Sequence, residues 1–191
     1  DVSGKGIGAS LIMASVKSVV PLVASARSVS ETLRELNRKL SGELAAREFV
    51  ALACARYDTA SGSLELSNAG LPDPYLLGAG SSVRPLSVPG PRLPLGIRPE
   101  VAYESLTVSL APGQRVLLLT DGIPEARTRN GDPLGYEALG RLLLSGNAAP
   151  GPWLDRLLDR VRAATLEVLE DDWTVLLLER ATTGMPVRGR G

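Results

Sequence analysis

The chain has 191 residues, 44% of them apolar, with 21 Lys plus Arg balancing 21 Asp plus Glu, so its formal charge is zero. That length supports one sizeable core without demanding a second, and the balanced charge argues against a nucleic-acid partner. Histidine is absent and Cys54 is the only cysteine, which excludes Ser-His-Asp and Cys-His nucleophile systems, His-ligated zinc, thiolate clusters and disulfides within the chain. What remains for catalysis is carboxylates, Lys, Arg, hydroxyls and hard metal ions. A single cysteine fits a reducing cytoplasm.

In chain order, residues 9–26 (ASLIMASVKSVVPLVASA) read as a mostly buried helix that Pro21 kinks or ends, because proline lacks the N–H and its ring clashes with the preceding turn. Ser28 and Glu31 have the spacing of a capping box, and Leu33, Leu36, Leu40 and Leu44 follow at helical intervals. The period then changes to two over Val50–Tyr57, and Leu64–Asn68 resumes it after the turn formers Asp58 to Gly62, which predicts a β-hairpin. A short strand is predicted at Tyr75–Leu77. The Gly/Ser/Pro-rich stretch from Gly78 to Pro99 is predicted to be an ordered surface loop with no regular element.

Strands are predicted at Leu106–Leu110 and Arg115–Thr120, helices at Tyr136–Leu144 and Trp153–Leu169 with a breaker segment Ser145–Pro152 between them, and a last strand at Trp173–Leu178. No run of eighteen apolar residues and no basic-then-apolar export signal is evident, so no membrane segment is expected. Two groups of strands separated by helices predict an α+β layered domain.

Three acidic positions share similar surroundings: Asp1 before Ser3-Gly-Lys-Gly6, Asp121 after the Val116–Thr120 strand, and Asp171-Asp172 before the last strand. Carboxylates at strand ends sit on rigid backbone and can converge at one sheet edge. Such a cluster repels itself and is tolerable mainly around a hard divalent cation, Mg²⁺ or Mn²⁺. Taken singly, each Asp reads equally well as a turn or cap residue. Gly4-Lys-Gly-Ile-Gly8 lacks the spacing of a phosphate-binding loop, and Lys5 reads as a solvated charge.

The combined text of these segments resembles the RsbU and sporulation-stage-II-E (SpoIIE) type of bacterial serine phosphatase, within the wider PP2C-like superfamily. Asp1-Val-Ser-Gly-Lys-Gly-Ile-Gly-Ala-Ser-Leu-Ile-Met-Ala14 resembles its D-V-S-G-[HK]-G-x-x-A-x-L-x-M motif, and Phe49-Val50 with Asn68-Ala-Gly70 its F-V … N-A-G-H hairpin. Leu93-Pro-Leu-Gly-Ile97 is similar to P-L-G-[IV], Pro112 to Ala126 to the block containing T-D-G, Gly131 to Gly135 to G-E-x-F-G, and Asp171-Asp-Trp-Thr-Val175 to D-D-x-T-[LV]. Leu71, Gln114 and Leu119 depart from the family's usual His, Asp and Tyr.

The resemblance implies a PP2C-like layered β-sandwich flanked by helices (αββα) over residues 1–180; the composition of 181–191 (ATTGMPVRGRG) predicts a disordered tail. It implies two Mn²⁺ or Mg²⁺ ions: Asp1 bridges them, the Val2 carbonyl helps hold one, and Asp121 and Asp171 hold the other. A hydroxide between the ions would attack phosphoserine, on a regulatory protein such as a STAS-type anti-sigma-factor antagonist. Relatives carry strands and an acidic G-G-D-type segment before D-V-S-G, so the first strands are expected to be missing, and the sheet to be completed by that segment or by a second copy in a dimer. A non-catalytic binding or sensing module on the same fold is the alternative.

Overall fold

A computed structural model of the protein describes residues 1–24, 28–45, 47–78, 82–144, 149–166 and 171–182. The predicted tail lies outside the described residues, apart from its first two. The chain forms two compact units, one of Asp1–Asp73 with Ser87–Ser109 and the other of Pro74–Leu86 with Leu110–Gly191.

The first unit holds helices α1 (Ile7–Ala24) and α2 (Val29–Leu40) and a sheet of β1 (Leu52–Asp58), β2 (Ser63–Ala69) and β5 (Leu106–Ser109), in the order β1-β2-β5. The capping box starts α2 as the sequence predicts. Ser28 Oγ accepts from the Glu31 N–H at 3.3 Å, and the Ser28 N–H donates to Glu31 Oε2 at 2.9 Å. The helix stops at Leu40, so Leu44 lies beyond it. Leu33, Leu36 and Leu40 pack with Val16, Val23, Val50, Ala69, Leu95 and Tyr103 into this unit's core.

The predicted hairpin pairs Leu52↔Ala69 through Asp58↔Ser63. Its turn is closed by Asp58, whose carboxylate accepts from the Ser61 hydroxyl at 2.7 Å and the Ala60 N–H at 2.9 Å. Those hydrogen bonds hold the carboxyl below its usual range.

Helix α1 departs from expectation in two ways. It runs through Pro21 to Ala24, and it is not mostly buried: Val16 and Val23 are covered, whereas Ile7 and Leu22 are 82% and 80% exposed. A single stripe meets the core, so the remaining apolar positions face outward. The helix is also long and apolar enough to cross a membrane by length and composition, with a mean hydropathy of 1.8 over its 18 residues. Scattered Ser and Lys17 break every continuous apolar run yet leave the average high.

The second unit holds β3 (Tyr75–Leu77), β4 (Val83–Pro85), β6 (Arg115–Leu119) and β7 (Val175–Glu179), in the order β4-β3-β6-β7, all antiparallel. Strand β4 corrects the expectation that 78–99 has no regular element. It lies at the edge of its sheet and ends on Pro85, a position where the missing N–H costs little.

Helices α3 (Gly122–Glu125), α4 (Gly135–Leu143) and α5 (Pro150–Ala164) complete this unit. Helix α5 begins inside the predicted breaker segment, because proline in a first helical turn sacrifices no intrahelical bond. The core joins Tyr75, Leu117, Leu119, Ile123, Leu139, Trp153, Leu157 and Val161. Arg115 pairs with Glu179 across β6 and β7 and lies 5.8 Å from the centroid of the Trp153 ring.

Candidate active site

Strands β6 and β7 pair from Arg115↔Glu179 to Leu119↔Val175. Antiparallel pairing puts the end of one strand beside the start of the other, so Asp121, just past β6, and Asp171-Asp172, just before β7, come to the same end of this sheet. Two features pin the segments together there. The Thr120 N–H donates to the Thr174 carbonyl at 3.1 Å, and Thr120 Oγ1 accepts from the Thr174 N–H at 3.1 Å while lying 3.3 Å from the Asp172 carbonyl oxygen. Gly122 is buried against the Asp172 backbone so closely that a β-carbon there would fall on the Asp172 carbonyl oxygen.

The glycine of Asp121-Gly122 therefore answers to a close approach of backbone, not only to turn chemistry. Asp121 is half-buried, whereas Asp171 and Asp172 are exposed. Asp171 Oδ1 accepts from the Asp172 N–H at 2.8 Å, which turns the pair into the start of β7.

Asp1 and Val2 lie in the other unit, on a short extended segment against residues 49–51. The Asp1 amino group donates to the Ala51 carbonyl at 2.9 Å, and the Ala51 N–H donates to the Asp1 carbonyl at 2.8 Å. Ser3 repeats the contact, its N–H donating to the Phe49 carbonyl at 3.0 Å and its Oγ accepting from the Phe49 N–H at 2.8 Å. In such a ladder the intervening residue turns its polar groups the other way, so the Val2 N–H and C=O face away from the Phe49–Ala51 strand. Val50 sits between Val2 on one side and Leu95 on the other.

The N-A-G segment turns on Asn68, which is buried. Its Oδ1 accepts from the Leu71 N–H at 2.9 Å and its Nδ2 donates to the Leu71 carbonyl at 2.8 Å. Gly70, at φ +96°, lies so near Pro94 that a β-carbon would meet Pro94 Cγ at 2.6 Å. The D-V-S, F-V, N-A-G and P-L-G segments are thus one packed cluster of backbone in the first unit. Sequence reasoning read them as motif text and missed the residues that dock them, Asn37 among them. The helical spacing that marks Asn37 as a polar residue between Leu33, Leu36 and Leu40 was the available signal.

The donor chemistry offered by Asp1, the Val2 carbonyl, Asp121 and Asp171 is entirely oxygen, which fits a hard divalent cation such as Mn²⁺ or Mg²⁺. Among the described residues, however, no group of three or more Asp, Glu or Cys side chains is gathered tightly enough to hold a metal ion.

The fold and these segments have counterparts among known proteins. The chain is 31% identical over 133 residues to the phosphoserine phosphatase RsbU of Bacillus subtilis (strain 168), which covers 69% of this chain and 39% of that protein, so it spans about two fifths of that relative's length. It is similar in structure to the SiaA-PP2C domain of Pseudomonas aeruginosa, at a TM-score of 0.79 and 22% identity over 94% of this chain and 72% of that one. The phosphatase domain of the cell fate determinant SpoIIE from Bacillus subtilis, solved after soaking with Mn, matches at a TM-score of 0.61 and 18% identity over 96% of this chain and 76% of that one. These likenesses show an α+β fold of the PP2C type. Residues 1–181 match the family model described as stage II sporulation protein E (SpoIIE), and the chain belongs to that family.

Proposed function

We propose that this chain is a cytoplasmic, metal-dependent protein serine/threonine phosphatase that hydrolyses phosphoserine on a regulatory protein, a STAS-type anti-sigma-factor antagonist. The observation that carries this reading is the placement of Asp121 and Asp171 at one end of the β6–β7 pair, pinned by Thr120 and Gly122, in a chain of the SpoIIE family. Asp1, the Val2 carbonyl, Asp121 and Asp171 would hold two Mn²⁺ or Mg²⁺ ions. When bound, such ions would activate a water and offset the charge of the phosphoryl group.

The chain's own residues supply carboxylates near strand ends, with the backbone beside them tied down: Thr120 and Gly122 hold the Asp121 turn to Thr174 and Asp172, and Asp1 pairs through its backbone with Ala51. Hydrolysis breaks the bond between phosphorus and the serine oxygen. Water supplies the new oxygen on phosphorus, and the departing serine oxygen takes up a proton. None of this requires histidine, in keeping with the composition.

A second reading, a non-catalytic binding or sensing module, is favoured by one observation: Leu71 stands where the N-A-G-H segment of the family carries histidine. Phosphate release from a phosphoserine protein in Mn²⁺, compared with the Asp121→Asn variant, separates the two. Release by the parent chain that the variant loses supports the phosphatase. Equal release by both, or none from either, supports the module.

A further inference from the structure

Asn37 lies in the middle of α2 and is fully buried, at 0% exposure. Burying a carboxamide is costly unless its polar atoms are satisfied, and here they are. Asn37 Nδ2 donates to the Arg98 carbonyl at 2.7 Å and the Pro99 carbonyl at 3.1 Å, and Oδ1 accepts from the Gly96 N–H at 2.9 Å. Ser41, one turn on, adds a hydroxyl that donates to the Asn37 carbonyl at 2.7 Å and the Arg98 carbonyl at 3.3 Å.

The segment gripped in this way continues directly from Leu95. Leu95 and Val50 exchange both backbone hydrogen bonds, at 3.0 and 2.8 Å, and Val50 lies opposite Val2 while Ala51 pairs with Asp1. One buried amide thus fixes one outer segment of three adjacent extended segments; Val50 lies on the middle one, and the other outer segment carries Asp1 and Val2.

We propose that Asn37 is a positioning residue for Asp1 and Val2, acting through Gly96–Pro99, Leu95 and Val50; its catalytic relevance rests on the phosphatase reading. Only a carboxamide serves all three backbone groups. Aspartate keeps an acceptor for the Gly96 N–H but cannot donate to Arg98 and Pro99, and alanine removes all three hydrogen bonds, leaving the Arg98 carbonyl with the Ser41 hydroxyl.

The test compares the 191-residue chain with Asn37→Ala, Asn37→Asp and Ser28→Ala, the last weakening the same helix through the cap at its start. Amide hydrogen exchange and calorimetric Mn²⁺ titration are both read. The expected result is that Asn37→Ala speeds exchange at Ser3, Val50, Ala51 and Leu95 by roughly tenfold beyond any rise in β2, and raises half-saturating Mn²⁺ roughly tenfold. Asn37→Asp gives a smaller effect of the same pattern, and Ser28→Ala speeds exchange in the first turn of α2 with Mn²⁺ affinity unchanged. An even rise for Asn37→Ala, or Mn²⁺ affinity that it leaves intact, overturns the proposal. Should the parent chain itself bind no Mn²⁺, the phosphatase reading fails and takes the metal role of Asn37 with it. The exchange pattern needs no metal and identifies that failure separately.

Discussion

Gly122 and the carbonyl of Asp172 are packed so closely that no side chain fits between them. This contact ties the turn after β6 to the segment before β7, and so ties Asp121 to Asp171. Gly122→Ala must push the two apart, with a cost of about 1–3 kcal/mol by analogy with overpacked cores. The expected outcome is a lower melting temperature together with at least a roughly tenfold loss of Mn²⁺ affinity, read by calorimetry and titration on one sample. A variant with unchanged affinity would separate the contact from the site.

Thr120 holds the same segments with a hydroxyl. Thr120→Val keeps the shape but leaves the Thr174 N–H without its Oγ1 acceptor, and is expected to cost about 1 kcal/mol in urea unfolding. Thr120→Ser retains the hydroxyl and is expected to restore most of that stability.

Ser28 offers a control far along the chain from the candidate site. Ser28→Ala removes the acceptor for the Glu31 N–H at the start of α2, which predicts a loss of about 1 kcal/mol. Mn²⁺ affinity is expected to stay unchanged once the protein is folded, and a parallel loss of affinity would mean that general destabilisation, not positioning, explains effects seen elsewhere on α2.

Tyr103 gives a prediction in alkali. It is fully buried, its hydroxyl donates to the Leu93 carbonyl at 2.7 Å, and burial pushes its pKa up to about 12. An unfolded tyrosine ionises near pH 10, so between about 10 and 12 the folded chain holds the proton that the unfolded chain has released. Stability from this group is therefore complete below pH 10 and falls as pH rises toward 12. Tyr103→Phe should flatten this decline in unfolding measured from pH 9 to 12.

Much of the local architecture was legible because it follows from spacing. The Ser28–Glu31 cap, the two-residue period of β1 and β2, and the apolar run of β6 each have one conformation that suits their pattern. The apolar runs also put Asp121 just after one strand and Asp171 just before another, and the antiparallel β6–β7 pairing brings those two segments to the same end of the sheet. Other features were not legible. The pairing of Val2 with Val50 and of Val50 with Leu95 depends on segments far apart in sequence, and a polar residue such as Asn37 reveals its partners only once those segments meet. The exposure of Ile7 and Leu22 was equally hidden, because an apolar helix specifies that it seeks cover without specifying which stripe receives it. Pro150 and Pro85 misled for opposite reasons, one starting a helix and the other ending an edge strand.

The most direct test of the phosphatase reading is calorimetric Mn²⁺ titration of the chain beside Asp121→Asn. The proposal predicts binding by the parent chain and at least a roughly tenfold weaker affinity in the variant, since one ligand carboxylate has become a neutral amide. Equal affinity in the two proteins, or no binding by the parent, would contradict it.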